Sequence, residues 1–423
     1  MKILLKRATI VYPGHALNGK KRDILIEKGV ITSIGNSLNP EGNFKEIKSK
    51  NLHVSPGWLD LRANFCEPGF EERETLESGS KAAAYGGFTG VCITPNTLPI
   101  VDTRSSIEFI KSRSQHQAVE LFPLGALSRE TKGRDLSEMY DMQQAGAVAF
   151  TDGQKGIQNA KFMQLALQYA HGIDALVMSF PMENELKGKA QVNEGDNSTQ
   201  LGLKGIPNIA EELMVSRDLY LQDYAESRLH FTTLSSAKSV DLVSKAKKAG
   251  QNVSCDVSAI QLVLNDSVLA EFDSNHKVMP PLRSEKDRKG LIKHLKANNI
   301  DVVCSNHTPH NIENKNCEFE LADYGITAIQ TVYPLLNGLV NEGLTQETII
   351  EKIAVNPRKI IRQELPNIEE GATANLTIFD PNIEWEYNEK TNVSKSVNSP
   401  FIGTKLTGKV VGIINRKQLV LTD

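Results

Sequence analysis

Eight short apolar runs, spaced through the middle of this 423-residue chain, constrain its fold more than any other feature. They span 58–64, 88–94, 119–127, 147–152, 175–181, 229–235, 252–258 and 301–307. Segments of helical period lie between them, at 71–85, 161–170, 236–249 and 286–297. Strands alternating with helices in this number meet the requirement of a (β/α)8 barrel, so an α/β fold of that type is expected. A doubly wound open sheet is the competing arrangement. No Gly-rich dinucleotide fingerprint follows any run, which counts against it.

The two ends read differently. Residues 1–54 and 368–423 carry short strand-like runs punctuated by Asn18-Gly19, Lys28-Gly29, Gly403 and Gly408. They are expected to close one composite β-sandwich beside a barrel of residues 55–367. The polar stretch 183–198 is expected to be a mobile loop above the barrel. A net charge of −3 gives no electrostatic case for nucleic acid or an anionic membrane. No run approaches the roughly 18 apolar residues of a membrane span, and the N-terminal segment does not read as a cleavable signal. Cytoplasmic residence is the expectation. The five cysteines include no CxxC pair and read as free thiols in a reducing compartment.

Functional groups of such barrels sit where the strands end. The positions to inspect are Arg62, Asn64, Asn96, Asp152, Gly153, Ser179, Phe180, Thr233, Asp256 and the run Ser305–His310. A catalytic zinc centre wants about three ligands from His, Asp, Glu or Cys and an open position for water. Of the nine histidines, only His307 and His310 fall on a strand-end loop, and His230 falls inside a strand. His15, His53, His116, His171, His276 and His294 fall in turns, helices or surface-like segments. No G-x-S-x-G elbow or Cys/His pairing offers a replacement nucleophile.

The stretch EPGFEERETLESGSKAAAYGGFTGVCITPNTLP resembles the signature region of type I dihydroorotases of the amidohydrolase superfamily. GAVAFTDG, VMPPLRSEKDRKGLI, SNHTPH and NLTIFDPNIEWE extend the resemblance over essentially the whole chain. It implies a metal-dependent cyclic-amide hydrolase of pyrimidine biosynthesis, and it also implies where the ligands belong. The family's His-x-His pair falls at Arg62 and Asn64, its strand-four carboxylate at Gly153, its strand-five and strand-six histidines at Phe180 and Thr233, and its strand-eight aspartate at Asn306. The substrate-gripping Arg falls at Cys66 and an Asn before the Pro-Pro pair at Met279, whereas Asn96 and His310 match.

A guanidinium about 4 Å from a dication costs on the order of 8 kcal/mol at an effective dielectric near 20. Arg62 is therefore expected to fill part of the former metal space, with no cofactor bound. The resemblance to noncatalytic dihydroorotase homologues implies a degenerate, homodimeric protein that supports aspartate carbamoyltransferase. An active dihydroorotase or other cyclic-amide hydrolase, with zinc, is the alternative. A metal-free small-molecule binding module, its mouth made apolar by Phe180, Met279 and Ile260, is a third.

Overall fold

The computed structural model describes residues 1–115 and 117–422, so His116 and Asp423 lie outside the described residues. Its centre is an eight-stranded parallel sheet. In chain order the barrel strands are Trp58–Ala63, Phe88–Ile93, Glu120–Gly125, Ala149–Phe150, Leu176–Ser179, Arg228–Phe231, Val253–Ser258 and Val302–Cys304. Each overlaps one of the expected runs, and all but the sixth, which starts one residue early at Arg228, fall within them. The eighth strand returns to the first through a parallel bridge between Ala63 and His307, where Asn64 N donates to His307 O at 2.8 Å. Leu59, Leu61, Cys92, Phe122, Leu124 and Met178 form one buried cluster within the barrel, as a filled interior requires.

The helix expected over 71–85 spans Leu76–Tyr85. Its start is set by a reciprocal cap, in which Ser78 N donates to Thr75 Oγ1 at 3.1 Å and Thr75 N donates to Ser78 Oγ at 2.9 Å. The 17-residue helix Ile209–Ala225 has no counterpart among the expected helices. It buries Ala210, Met214, Val215 and Leu219 while exposing Ile209, Leu213, Tyr220 and Tyr224, so no single apolar stripe marks it.

The segment 183–198, expected to be a loop, carries secondary structure. That segment holds helix Asn184–Lys187, strand Val192–Asn193 and the start of helix Asp196–Leu201. Arg283 Nη1 fastens it by donating to Asn193 Oδ1 at 3.1 Å and to Ile206 O at 2.7 Å.

Both chain ends contribute to a second sheet. Its order runs Gln418–Leu421, Thr404–Asn415, Asn375–Tyr387, His53–Pro56, Lys2–Ile10, Lys21–Glu27, Val30–Gly35, with Lys45–Ile47 also pairing with Lys2–Ile10. The N-terminal and C-terminal parts meet where His53–Pro56 pairs antiparallel with Asn375–Tyr387. Ile3, Leu5, Ile24, Val54, Leu376 and Ile414 share its core, giving a β-sandwich beside the barrel. Among the described residues no helix is long and apolar enough to cross a membrane.

Candidate functional site

Arg62, at the end of the first barrel strand, is only 2 % exposed. Its Nε donates to Asn306 Oδ1 at 3.0 Å, and Asn306 Nδ2 donates to Met279 O at 3.2 Å. The guanidinium carbon lies 5.8 Å from the centre of the Phe180 ring, within cation–π range. Nη1 is buried without a hydrogen-bond partner. Burial pulls the Arg62 pKa down, opposed by Cys304, Asp256 and Asp60, but arginine remains a cation in proteins. Arg62 thus lies where the first strand ends, between Asn306 and Phe180.

The other altered positions are closed by their neighbours. Asn64 Oδ1 accepts from Cys66 N at 2.8 Å. Gly153 has φ +70, and a Cβ there would lie 1.7 Å from Asn96 Oδ1. Asn96 itself donates to Asp152 O at 3.3 Å, so its side chain occupies the space a residue-153 carboxylate would need. Thr233 has φ 55; its N donates to Asp256 Oδ1 at 2.6 Å and its Oγ1 to Thr232 O at 2.8 Å. Arg62, Asn64, Asn96 and Asn306 line one cavity of about 220 Å³. Phe180 reaches it through Arg62, and Gly153 through Asn96.

The acids nearby are committed to structure. Asp256 is held by His230 Nε2 at 2.8 Å and by Cys304 Sγ at 3.2 Å. Burial works to raise its pKa, but those bonds and the Thr233 amide outweigh it and hold the carboxyl below the usual range. Asp152 accepts from Leu127 N at 3.0 Å, Ser128 N at 2.9 Å and the Ser128 hydroxyl, with burial raising its pKa. Ser179 Oγ donates to Asp218 Oδ2 at 2.7 Å, away from the Arg62 cavity.

Both strand-end histidines are engaged by neighbouring residues, and His307 also lines the Arg62 cavity. His307 Nδ1 accepts from Ala328 N at 3.1 Å, and its Nε2 lies 3.5 Å from Glu74 Oε2. His310 Nε2 contacts Tyr324 O at 3.0 Å and Nδ1 lies 3.4 Å from Asp323 Oδ2, and His310 does not line the Arg62 cavity. Burial pushes its pKa down to about 4. Cys66 is buried, its thiol pushed up to about 12 by burial, which makes it a filler and no nucleophile. Met279 packs with Phe180 and Met182. Ile260, expected beside them, instead joins the main core, because it sits on the inward face of helix Ala259–Val263.

Asp60 gives a pH prediction. It accepts from Ser305 N at 2.9 Å and from the Ser305 hydroxyl, and burial pushes its pKa up to about 7. The folded state therefore binds the extra proton between about pH 4 and 7, and the contribution of this group to stability falls as pH rises through that window. His310 has the opposite sign, losing stability as pH falls below about 6.5, so the wild-type profile mixes the two. Asp60→Asn isolates the first: relative to wild type, the variant gains about 2–3 kcal/mol between pH 5 and pH 8. Urea unfolding at both pH values measures it, and an unchanged difference contradicts the assignment.

Among the described residues no group of three or more His, Cys, Asp or Glu side chains is placed to hold a metal ion. A zinc centre of the kind the resemblance implies does not fit this donor set: the Arg62 cavity is lined by a buried guanidinium, the amides of Asn64, Asn96 and Asn306, and His307, with no second histidine or acid among the lining residues. The sequence reading missed Lys132, Arg134, Lys155 and Lys187, which line a neighbouring cavity of about 530 Å³. Lys155, two residues past Gly153 at the end of the fourth strand, was the one signal available.

A family model described as "Dihydro-orotase-like" matches residues 52–239. The chain is 37 % identical over 427 residues to the dihydroorotase of Syntrophus aciditrophicus, covering 100 % of both chains. It is 38 % identical to that of Acetivibrio thermocellus, covering 96 % of each. The L-hydantoinase of Arthrobacter aurescens superposes with a TM-score of 0.86 at 23 % identity, covering 99 % of this chain and 96 % of that one, a likeness of fold. Identity at this level along the full length, on the same barrel and sandwich, leads to one conclusion: the chain belongs to the dihydroorotase family.

Proposed function

We propose that this protein is a noncatalytic dihydroorotase of the cytoplasm, serving pyrimidine biosynthesis as a homodimeric structural or regulatory partner of aspartate carbamoyltransferase. The observation that carries this reading is the Arg62–Asn306 pair, 3.0 Å apart, in the place where metal and general base are needed. Opening or closing a cyclic amide requires an activated water or equivalent acid–base group and a stabilised carbonyl oxygen. Asn306 carries an amide that takes no proton at neutral pH. Asp152 and Asp256 are tied to backbone and side-chain donors.

A second reading is an active dihydroorotase or other cyclic-amide hydrolase. Full-length similarity to proteins named dihydroorotase favours it. Turnover of dihydroorotate and of carbamoyl aspartate, with and without added zinc, separates the two. The noncatalytic reading expects no turnover above buffer, together with co-purification with the carbamoyltransferase or a change in its activity. Zinc-dependent turnover would establish the second reading. Absence of both turnover and any effect on the carbamoyltransferase would refute the partnership.

A further inference from the structure

Arg62 is a nearly fully buried cation that forms no ion pair with a carboxylate among the described residues. Its Nε is satisfied by a neutral amide and its Nη1 by nothing. Asp60 and Asp256 offset its burial only through space, and a buried charge without a contacting partner is costly unless something outside the chain completes it. Arg62 also lines a cavity, of about 220 Å³, so space for that something exists.

The adjoining space has the same sign. Gln154 and Lys155 line both this cavity and the larger one of about 530 Å³. The larger cavity carries Lys132, Arg134, Lys155 and Lys187 against one acid, Asp152, whose oxygens are already taken by Leu127 and Ser128. Lys132 is paired with Glu130. Lys155 rests on a hydroxyl, Thr131 Oγ1 at 2.8 Å, and acts on the Asp152 carboxylate only through space, while Lys187 lies 5.9 Å from the Tyr324 ring, so neither makes an ion-pair contact among the described residues. Phe180 and Met279 supply an apolar wall. A concave site with an apolar wall, a few convergent polar groups and an excess of one charge is the usual form of a small-molecule site for the opposite charge.

We propose that the barrel mouth is a metal-free receptor for a small organic oxyanion. Its carboxylate or phosphate group is held by the Arg62 guanidinium and Lys155, and its remainder lies against Phe180 and Met279. Guanidinium suits both oxyanions because its planar donors match their oxygen pairs. The proposal rests on the reading that these residues hold no metal, and the test separates the two.

Full-length protein is titrated with inorganic phosphate and, separately, with malonate, at an ionic strength held constant with sodium chloride. Binding is followed by calorimetry and thermal shift, and zinc content is measured on the same sample. At least one anion is expected to bind, with its Kd raised tenfold or more by Arg62→Met and severalfold by Lys155→Gln. Lys155 is exposed, so its variant is informative even if Arg62→Met does not fold. Response to phosphate alone or malonate alone assigns the ligand's anionic group. No binding beyond the chloride control, or binding indifferent to Lys155→Gln, overturns the receptor. If the sample is also free of zinc, the noncatalytic reading survives that failure; stoichiometric zinc overturns both.

Discussion

Glu211→Ala is expected to destabilise the fold by about 3–5 kcal/mol, because it strips a buried cation of its counter-charge. Glu211 is 1 % exposed. Its carboxylate accepts from Ser235 N at 3.0 Å, from Ser236 N at 2.9 Å and from the Ser235 hydroxyl. Ser235 Oγ in turn accepts from Arg283 Nε at 3.0 Å. Arg283 is fully enclosed, and burial lowers its pKa while Glu211 is the leading charge that raises it. Alanine would leave the Ser235 and Ser236 amides and the Ser235 hydroxyl without their acceptor, and Arg283 without the leading charge that offsets its burial. Denaturant unfolding measures the loss, and pairing Glu211→Leu with Arg283→Met is expected to recover part of it. A loss under about 1 kcal/mol would show that solvent already satisfies the cluster.

Trp58→Ala is expected to cost a similar amount, about 3–5 kcal/mol, as a large core ring replaced by a void. Trp58 begins the first barrel strand, is fully buried, and meets Phe88, Tyr333 and Phe379 with ring centres 6.0, 5.1 and 5.6 Å away. Phe379 belongs to the terminal sheet, so the indole joins barrel to sandwich. Its Nε1 donates to Ser55 Oγ at 2.9 Å. Trp58→Phe keeps most of the contact area and loses that bond, leaving Ser55 to find another partner. Its expected cost is about 1–2 kcal/mol. Equal losses for the two variants would show that volume at this junction is immaterial.

The barrel was legible because strands buried on both faces leave continuous apolar runs. The strands proved shorter than those runs, since residues just past each end, such as Asn64, Asp152 and Thr233, turn away to make loop hydrogen bonds. Helix Ile209–Ala225 was hidden by apolar residues on both its faces. Order in 183–198 depends on Arg283, about ninety positions away, a contact no local pattern reveals.

At the site, the residue types at Arg62, Asn64, Gly153, Phe180, Thr233 and Asn306 could be read, but their mutual arrangement could not. The Arg62–Asn306 bond joins the first and eighth strands, and the Asn96–Gly153 contact joins the second and fourth. The cationic rim gathers Lys132 and Arg134 from one loop, Lys155 from another and Lys187 from the end of helix Asn184–Lys187, each an ordinary surface charge in sequence.

If the Arg62 guanidinium excludes a dication from the barrel mouth, the purified protein carries no resident zinc. Metal analysis of the purified full-length protein, after growth with zinc and removal of loosely held ions, tests it most directly. Far less than one zinc per chain is expected, with no gain in binding on titration. One or more tightly held zinc ions per chain would contradict it.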